Sequence, residues 1–374
     1  MNAPKTRIEP QLSAYLHSKG RRLGLPIAGN FELTARCNFN CPMCYVHLTG
    51  EQLAASGKQE LTAAQWLELA RQARDKGMLF ALLTGGEPLV REDFFEIYDG
   101  MKALGLVVSI NSNGSMLQGE ILQRFLQDPP FRFNISLYGG SNETYREMCG
   151  QPAYEQVKEN IRALRKAGVD VSINLSITPH NCRDVAQIYA DARELDVNVK
   201  ASSYMYPSVR VNGEQYGCGS RLTAEEAAYW SVQWDALRFT EEQFALRAQN
   251  LAKITAETDC PLEEEEGVRC RAGSSSFWLT WDGRMLPCGM MTRPEAYPLR
   301  DGFEAAWEQT RRATAAIRTP AACSVCPEKE ACGMCAALCY AETGAFDRVP
   351  DYLCRKTREQ LRLTAALYEE RTRK

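Results

Sequence analysis

The chain has 374 residues, 45% of them hydrophobic and 24% charged, with a net charge of −3. That balance offers no basic footprint for nucleic acid or for an anionic membrane surface. No apolar run approaches the ~20 residues of a membrane span, and the opening "MNAPKTRIEPQLSAYLHSKG" lacks a secretory apolar core, so a cytoplasmic protein is expected.

The middle of the chain alternates strand and helix signals. Residues 30–35 (NFELTA) read as a strand that runs into a cysteine loop. Residues 61–77 have helical apolar spacing, a threonine start and a glycine stop. Then follow a strand at 78–86, a helix at 91–105, a strand at 106–114, a helix at 119–128 and a strand at 131–140. A helix at 153–168, a strand at 169–179, a helix at 181–196 and a strand at 197–207 complete six strand-plus-helix units. Such alternation predicts an α/β fold with a parallel sheet and outer helices. A closed eight-unit barrel typically needs about 250 residues, so a partial six-unit barrel fits the length better. In such folds chemistry sits at the C-terminal ends of the strands, where the motifs below fall.

Residues 205–222 form a Gly- and Tyr-rich loop, and 222–254 read as long helix broken near Thr240. From Cys260 onward cysteines crowd in, periodicity fades, and a charged helix closes the chain. The expected organisation is an N-terminal extension (1–29), a barrel with its helical linker (30–255, linker 223–255) and a cysteine-rich domain (256–374). The acidic run Glu263–Glu266 reads as a solvated loop.

Fifteen cysteines are many for a reducing compartment, where such patterns more often mean metal than disulfide. The three histidines, His17, His47 and His180, are too scattered to dominate as ligands. Cys37, Cys41 and Cys44 stand as CxxxCxxC on one short loop. Full cysteine ligation of a four-iron cluster uses four thiolates, so three leave one iron open to a small molecule. A zinc site that borrows His47 is the alternative.

CxxxCxxC after a first strand, with Thr84-Gly85-Gly86-Glu87-Pro88 at the end of the next, resembles the radical S-adenosylmethionine (radical SAM) superfamily over residues 30 to about 204. The resemblance implies that the open iron chelates S-adenosylmethionine and that one electron cleaves it to a 5′-deoxyadenosyl radical. It assigns the TGGEP stretch to the methionine amino group, with Glu87 able to accept from an ammonium. It places Asn111, beside Ser112 and Asn113, on the cofactor pocket and Ser136 near the ribose; capping or turn roles are the alternatives. Met43 occupies a position that is commonly aromatic and packs by adenine, with Tyr45 on its other side. A slot that often holds arginine near the cofactor carboxylate here holds Cys149, with Arg146 one turn earlier.

The C-terminal cysteines resemble a SPASM domain, which holds two auxiliary four-iron clusters. By that resemblance Cys260, Cys270, Cys288 and Cys335 hold the first cluster, and Cys323, Cys326, Cys332 and Cys354 the second. The family carries CxxCx5CxxxC; this chain has CxxCx5CxxC, and Cys339 is a rival to Cys335. A pair of zinc ribbons is the alternative reading of the same CxxC pairs. The turn at Asp282-Gly283 suits a small hairpin presenting thiols. Cys149, Cys182, Cys218 and Cys339 remain; isolated cysteines are usually buried apolar residues. Cys218, in the loop after the sixth strand, is a weak candidate for contact with substrate.

The resemblance implies modification of a small ribosomal peptide or protein by crosslinking or oxidation, with flavodoxin or ferredoxin as electron donor. About thirty residues precede the cysteine loop, so a separate leader-peptide recognition protein is expected, or a substrate without a conventional leader. A dehydrogenase acting on a small molecule, an anaerobic sulfatase maturase and a non-catalytic zinc-binding interaction protein are the rivals. Sulfatase maturases carry an acidic residue directly after the cysteine matching Cys288, where this chain has Gly289.

Overall fold

The computed structural model describes residues 11–207, 218–256 and 267–373. Helix α1 (Gln11–Leu23) leads into β1 (Ala28–Glu32). After the cysteine loop come α2 (Gly50–Ala55), α3 (Ala63–Asp75), β2 (Phe80–Thr84), α4 (Phe94–Ala103), β3 (Val107–Ser112), α5 (Gly119–Gln127) and β4 (Arg132–Ser136). The order continues with α6 (Asn142–Cys149), α7 (Tyr154–Lys166), β5 (Val171–Ser176), α8 (Val185–Glu194), β6 (Asn198–Ser202), α9 (Ala224–Arg238) and α10 (Glu241–Ala256). The C-terminal part adds a hairpin, β7 (Ser276–Leu279) and β8 (Met285–Leu286). Helices α11 (Pro298–Asp301), α12 (Phe303–Ala315), α13 (Ala321–Ser324), α14 (Ala336–Thr343) and α15 (Asp351–Arg373) follow.

One sheet runs β6-β5-β4-β3-β2-β1-β7-β8. The first six strands pair in parallel, β7 adds in parallel to β1, and β8 returns antiparallel to β7. β6 and β8 are the sheet's two edges, so the barrel is partial.

Local signals explain the elements. Thr62 caps α3 by accepting from the Gln65 amide while Gln65 returns a bond, and Gly77 at φ 111° ends it. Thr240 breaks the long helical stretch by capping α10 through Gln243. The outer face of the sheet is apolar: Ile110, Phe133, Ile135, Ile173 and Leu175 share one core with Phe125, Ile161 and Ile188 of the helices.

The inner face is the reverse. Strand alternation turns Asn111, Asn134, Ser136, Asn174, Lys200 and Ser202 inward, where parallel barrels usually stack branched apolar side chains.

Several helices depart from the sequence reading: α2, α11, α13 and α14 as well as α1, α6 and α12. α1 lies inside the expected N-terminal extension; His17 Nδ1 meets Ser275 Oγ at 3.0 Å and Arg21 donates to the carbonyls of Arg269 and Cys270. α6 has the serine cap and left-handed glycine stop of a short helix, Ser141 and Gly150. α12 breaks the texture of the cysteine-rich region and buries Phe303 and Trp307 against the barrel core. The turn at Asp282-Gly283 does close a hairpin, and β7 extends the barrel sheet itself.

Candidate active site

β1 stops at Glu32 because the next residues turn to meet the end of β2. The Leu33 amide donates to Thr84 O at 2.8 Å, Gly86 to Thr34 O at 2.8 Å and Glu87 to Arg36 O at 2.9 Å. A Cβ on Gly85, which sits at φ 152°, would lie 2.7 Å from Thr34 O, and one on Gly86 would overlap Arg36 O. The two glycines therefore let β2 dock against the chain directly preceding Cys37.

Glu87 is fully buried. Its carboxylate accepts from the Asn113 amide (2.7 Å), the Leu89 amide (3.1 Å) and Ser112 Oγ (3.0 and 3.1 Å). Burial pushes its pKa up to about 7 against the pull of these donors. The carboxylate thus clamps the ends of β2 and β3 together. Asn113 carries the connection onward, donating to Asn38 Oδ1 at 2.8 Å and approaching Cys37 Sγ at 3.8 Å.

In the loop itself backbone amides point at sulfur: Phe39 N at Cys37 Sγ (3.3 Å) and His47 N at Cys44 Sγ (3.2 Å). Burial pushes the Cys37 thiol up to about 12 and the Cys44 thiol to about 11. A hydrogen bond with Cys149, then burial, raises Cys41 further. Cys149 is fully buried, and its carbonyl accepts from the Asn40 amide at 3.0 Å. His47 Nδ1 is buried without a hydrogen-bond partner among the described residues.

Of the other expected pocket residues, Met43 packs on the main core and Tyr45 packs with Ala35, Val46 and Trp281. Thr84 and Pro88 are buried. Asn111 accepts from Asn134 Nδ2 at 2.9 Å, and Ser136 ends β4 on the inner face.

The C-terminal thiols fall into two neighbourhoods. Cys270, Cys288 and Cys335 surround Tyr206, and Cys323 feels Cys354, Cys332 and Cys326. Cys339 is fully buried and feels Cys323, Cys335 and Cys332, between the two groups. Cys260 lies outside the described residues. The backbone of Cys218 begins a short turn, Cys218–Ser220, and Cys182 is partly buried. Among the described residues no cysteine is in a disulfide, and no three Cys, His, Asp or Glu side chains close on the single point that one ion needs. A cubane instead offers one iron to each of its thiolates.

Residues 31–192 match the family model of the radical SAM superfamily. The chain carries a radical SAM domain.

Two relatives match over most of the chain that carries this domain. An AdoMet-dependent heme synthase of Methanosarcina barkeri (strain Fusaro / DSM 804) is 26% identical over 84% of this chain and 93% of that protein. A PqqA peptide cyclase of Streptomyces rochei is 27% identical over 83% of this chain and 84% of that protein. Among solved structures, Streptococcus suis SuiB bound to precursor peptide SuiA superposes with a TM-score of 0.66 at 15% identity. That match covers 95% of this chain and 83% of SuiB, so the fold extends through the C-terminal region.

The thiols fit what a radical SAM domain requires. Amide N–H groups aimed at Cys37 and Cys44 are the donors that a ligated thiolate accepts. The sequence reading missed the pair Glu32 and Trp278. Glu32 is fully buried at the end of β1 and accepts from Trp278 Nε1 at 2.9 Å. The indole lies on Gly289, where a Cβ would come within 2.8 Å of the ring. Only the pairing of β7 with β1 joins these residues, and no local motif announces it.

Proposed function

We propose that this chain is a radical SAM enzyme that modifies a ribosomally made peptide or protein, by crosslinking or oxidation. The observation that carries the peptide reading is the polar inner wall of the barrel. Asn111, Asn134, Asn174 and Ser176 offer donors and acceptors suited to an extended backbone. A flat macrocycle would ask for apolar faces there. The peptide-named relative and the fold shared with SuiB support the reading.

Cys37, Cys41 and Cys44 would hold the cluster that binds S-adenosylmethionine, with Met43, Tyr45, Thr84–Pro88, Asn111 and Ser136 around the cofactor. When bound, these groups supply a 5′-deoxyadenosyl radical able to take a hydrogen atom from an unactivated carbon. The protein's own part is positioning. Glu87 locks the ends of β2 and β3 and, through Asn113, the cysteine loop. Its lone pairs are already engaged, so backbone carbonyls of the Gly85-Gly86 stretch are the better acceptors for an ammonium.

Cys260, Cys270, Cys288 and Cys335 would hold a first auxiliary cluster, and Cys323, Cys326, Cys332 and Cys354 a second, within a domain beginning near residue 256. Flavodoxin or ferredoxin would supply electrons in the cytoplasm; among the described residues no helix is long and apolar enough to cross a membrane.

The heme-synthase relative favours a second reading, a small tetrapyrrole substrate. Anaerobic reconstitution followed by iron and sulfide analysis tests the clusters: about twelve irons per chain are expected for three cubanes. Assay of 5′-deoxyadenosine and substrate mass, against candidate precursor peptides and against a haem precursor, then separates the readings. Conversion of the haem precursor alone would replace the peptide proposal.

A further inference from the structure

Tyr206 lies just beyond β6, on the segment leaving the barrel's sixth strand, yet its hydroxyl reaches Cys335 Sγ at 3.9 Å. Two features hold it there. Its ring packs into the apolar cluster of Met291, Ile317, Ala336 and Ala337. Two residues earlier, Tyr204 donates to Glu342 at 2.6 Å, and Arg221 pairs with the same carboxylate while covering the Tyr204 and Tyr352 rings. Glu342 is on α14, and Cys335 is the N-cap of that helix. The barrel is therefore pinned to both ends of the helix that presents Cys335.

The direction of the bond follows from chemistry. A thiolate that holds iron has no proton to give, whereas a phenol at neutral pH has one. Reduction of a cluster adds negative charge to its sulfurs, so a donor on a ligating sulfur favours the reduced form.

We propose that Tyr206 is a positioning residue that donates to the Cys335 thiolate and raises the reduction potential of the first auxiliary cluster. This rests on the auxiliary-cluster reading above.

The test uses full-length protein with Cys37, Cys41 and Cys44 replaced by Ala, so that only auxiliary signals remain. Anaerobic redox titration followed by electron paramagnetic resonance is run with and without Tyr206→Phe, alongside iron analysis. The expected result is unchanged iron and one signal moved to a more negative midpoint, with the other fixed. Tyr204→Phe, which disturbs the same segment but not the sulfur, should move neither. An unmoved midpoint at full iron overturns the proposal. If Tyr206→Phe loses iron, Tyr206→His restores a donor: recovery of iron and potential supports the proposal, and loss in both variants makes Tyr206 a packing residue only. No iron–sulfur signal in the parent overturns the auxiliary-cluster reading itself, and the proposal with it.

Discussion

Glu87→Gln tests the clamp at the centre of the site. In the folded chain burial raises the Glu87 pKa from 4.5 to about 7. A raised carboxylate means that between these values the folded chain binds more protons than the unfolded chain. Stability therefore falls as pH rises through the window, and levels off above it. The shift corresponds to at most about 3.4 kcal/mol, of which about 2.5 kcal/mol falls between pH 5 and pH 8. The substituted amide does not titrate, but its NH2 must face one of the backbone donors, Asn113 N or Leu89 N, that the carboxylate now serves. That conflict costs about 1–3 kcal/mol at any pH. The variant should accordingly be clearly less stable than the parent at pH 5 and lose most of that deficit by pH 8. Urea unfolding of both proteins under reducing conditions measures the difference, and other titrating groups cancel in the comparison. A deficit that stays flat across this range would show that Glu87 is not a buried acid with a raised pKa.

Three further outcomes are expected. Gly86→Ala forces a Cβ into Arg36 O, so it should cost at least about 1–3 kcal/mol and strip iron from the Cys37 loop while sparing C-terminal iron, as read by iron analysis and melting. Cys41→Ala should abolish 5′-deoxyadenosine formation, whereas Cys326→Ala should keep some uncoupled cleavage and lose modified product; cleavage by the first variant would remove Cys41 from the cluster. Gly289→Asp should drive the Trp278 indole off its seat and break its bond to Glu32, changing the near-ultraviolet circular dichroism, at a cost of about 1–3 kcal/mol. An unchanged spectrum would show that an acid after Cys288 is compatible with this fold.

The sequence by itself determined the parallel α/β order and the partial barrel, because strand and helix periods are local and some helices carry their own caps, as at Thr62 and Thr240. It also picked out the CxxxCxxC loop and the TGGEP turn, because thiol spacing and paired glycines are legible without a partner. Only tertiary structure decided what these pieces touch. It set the glycines against Thr34 and Arg36, gave Glu87 to the backbone of β3, and brought Cys149 to Cys41. It placed β7 beside β1, joining Trp278 to Glu32 across 246 positions, and set Tyr206 against Cys335 across 129. Such contacts depend on which faces meet after the sheet forms. Periodicity reports which face of an element is apolar, and carries no record of which distant residue will cover it.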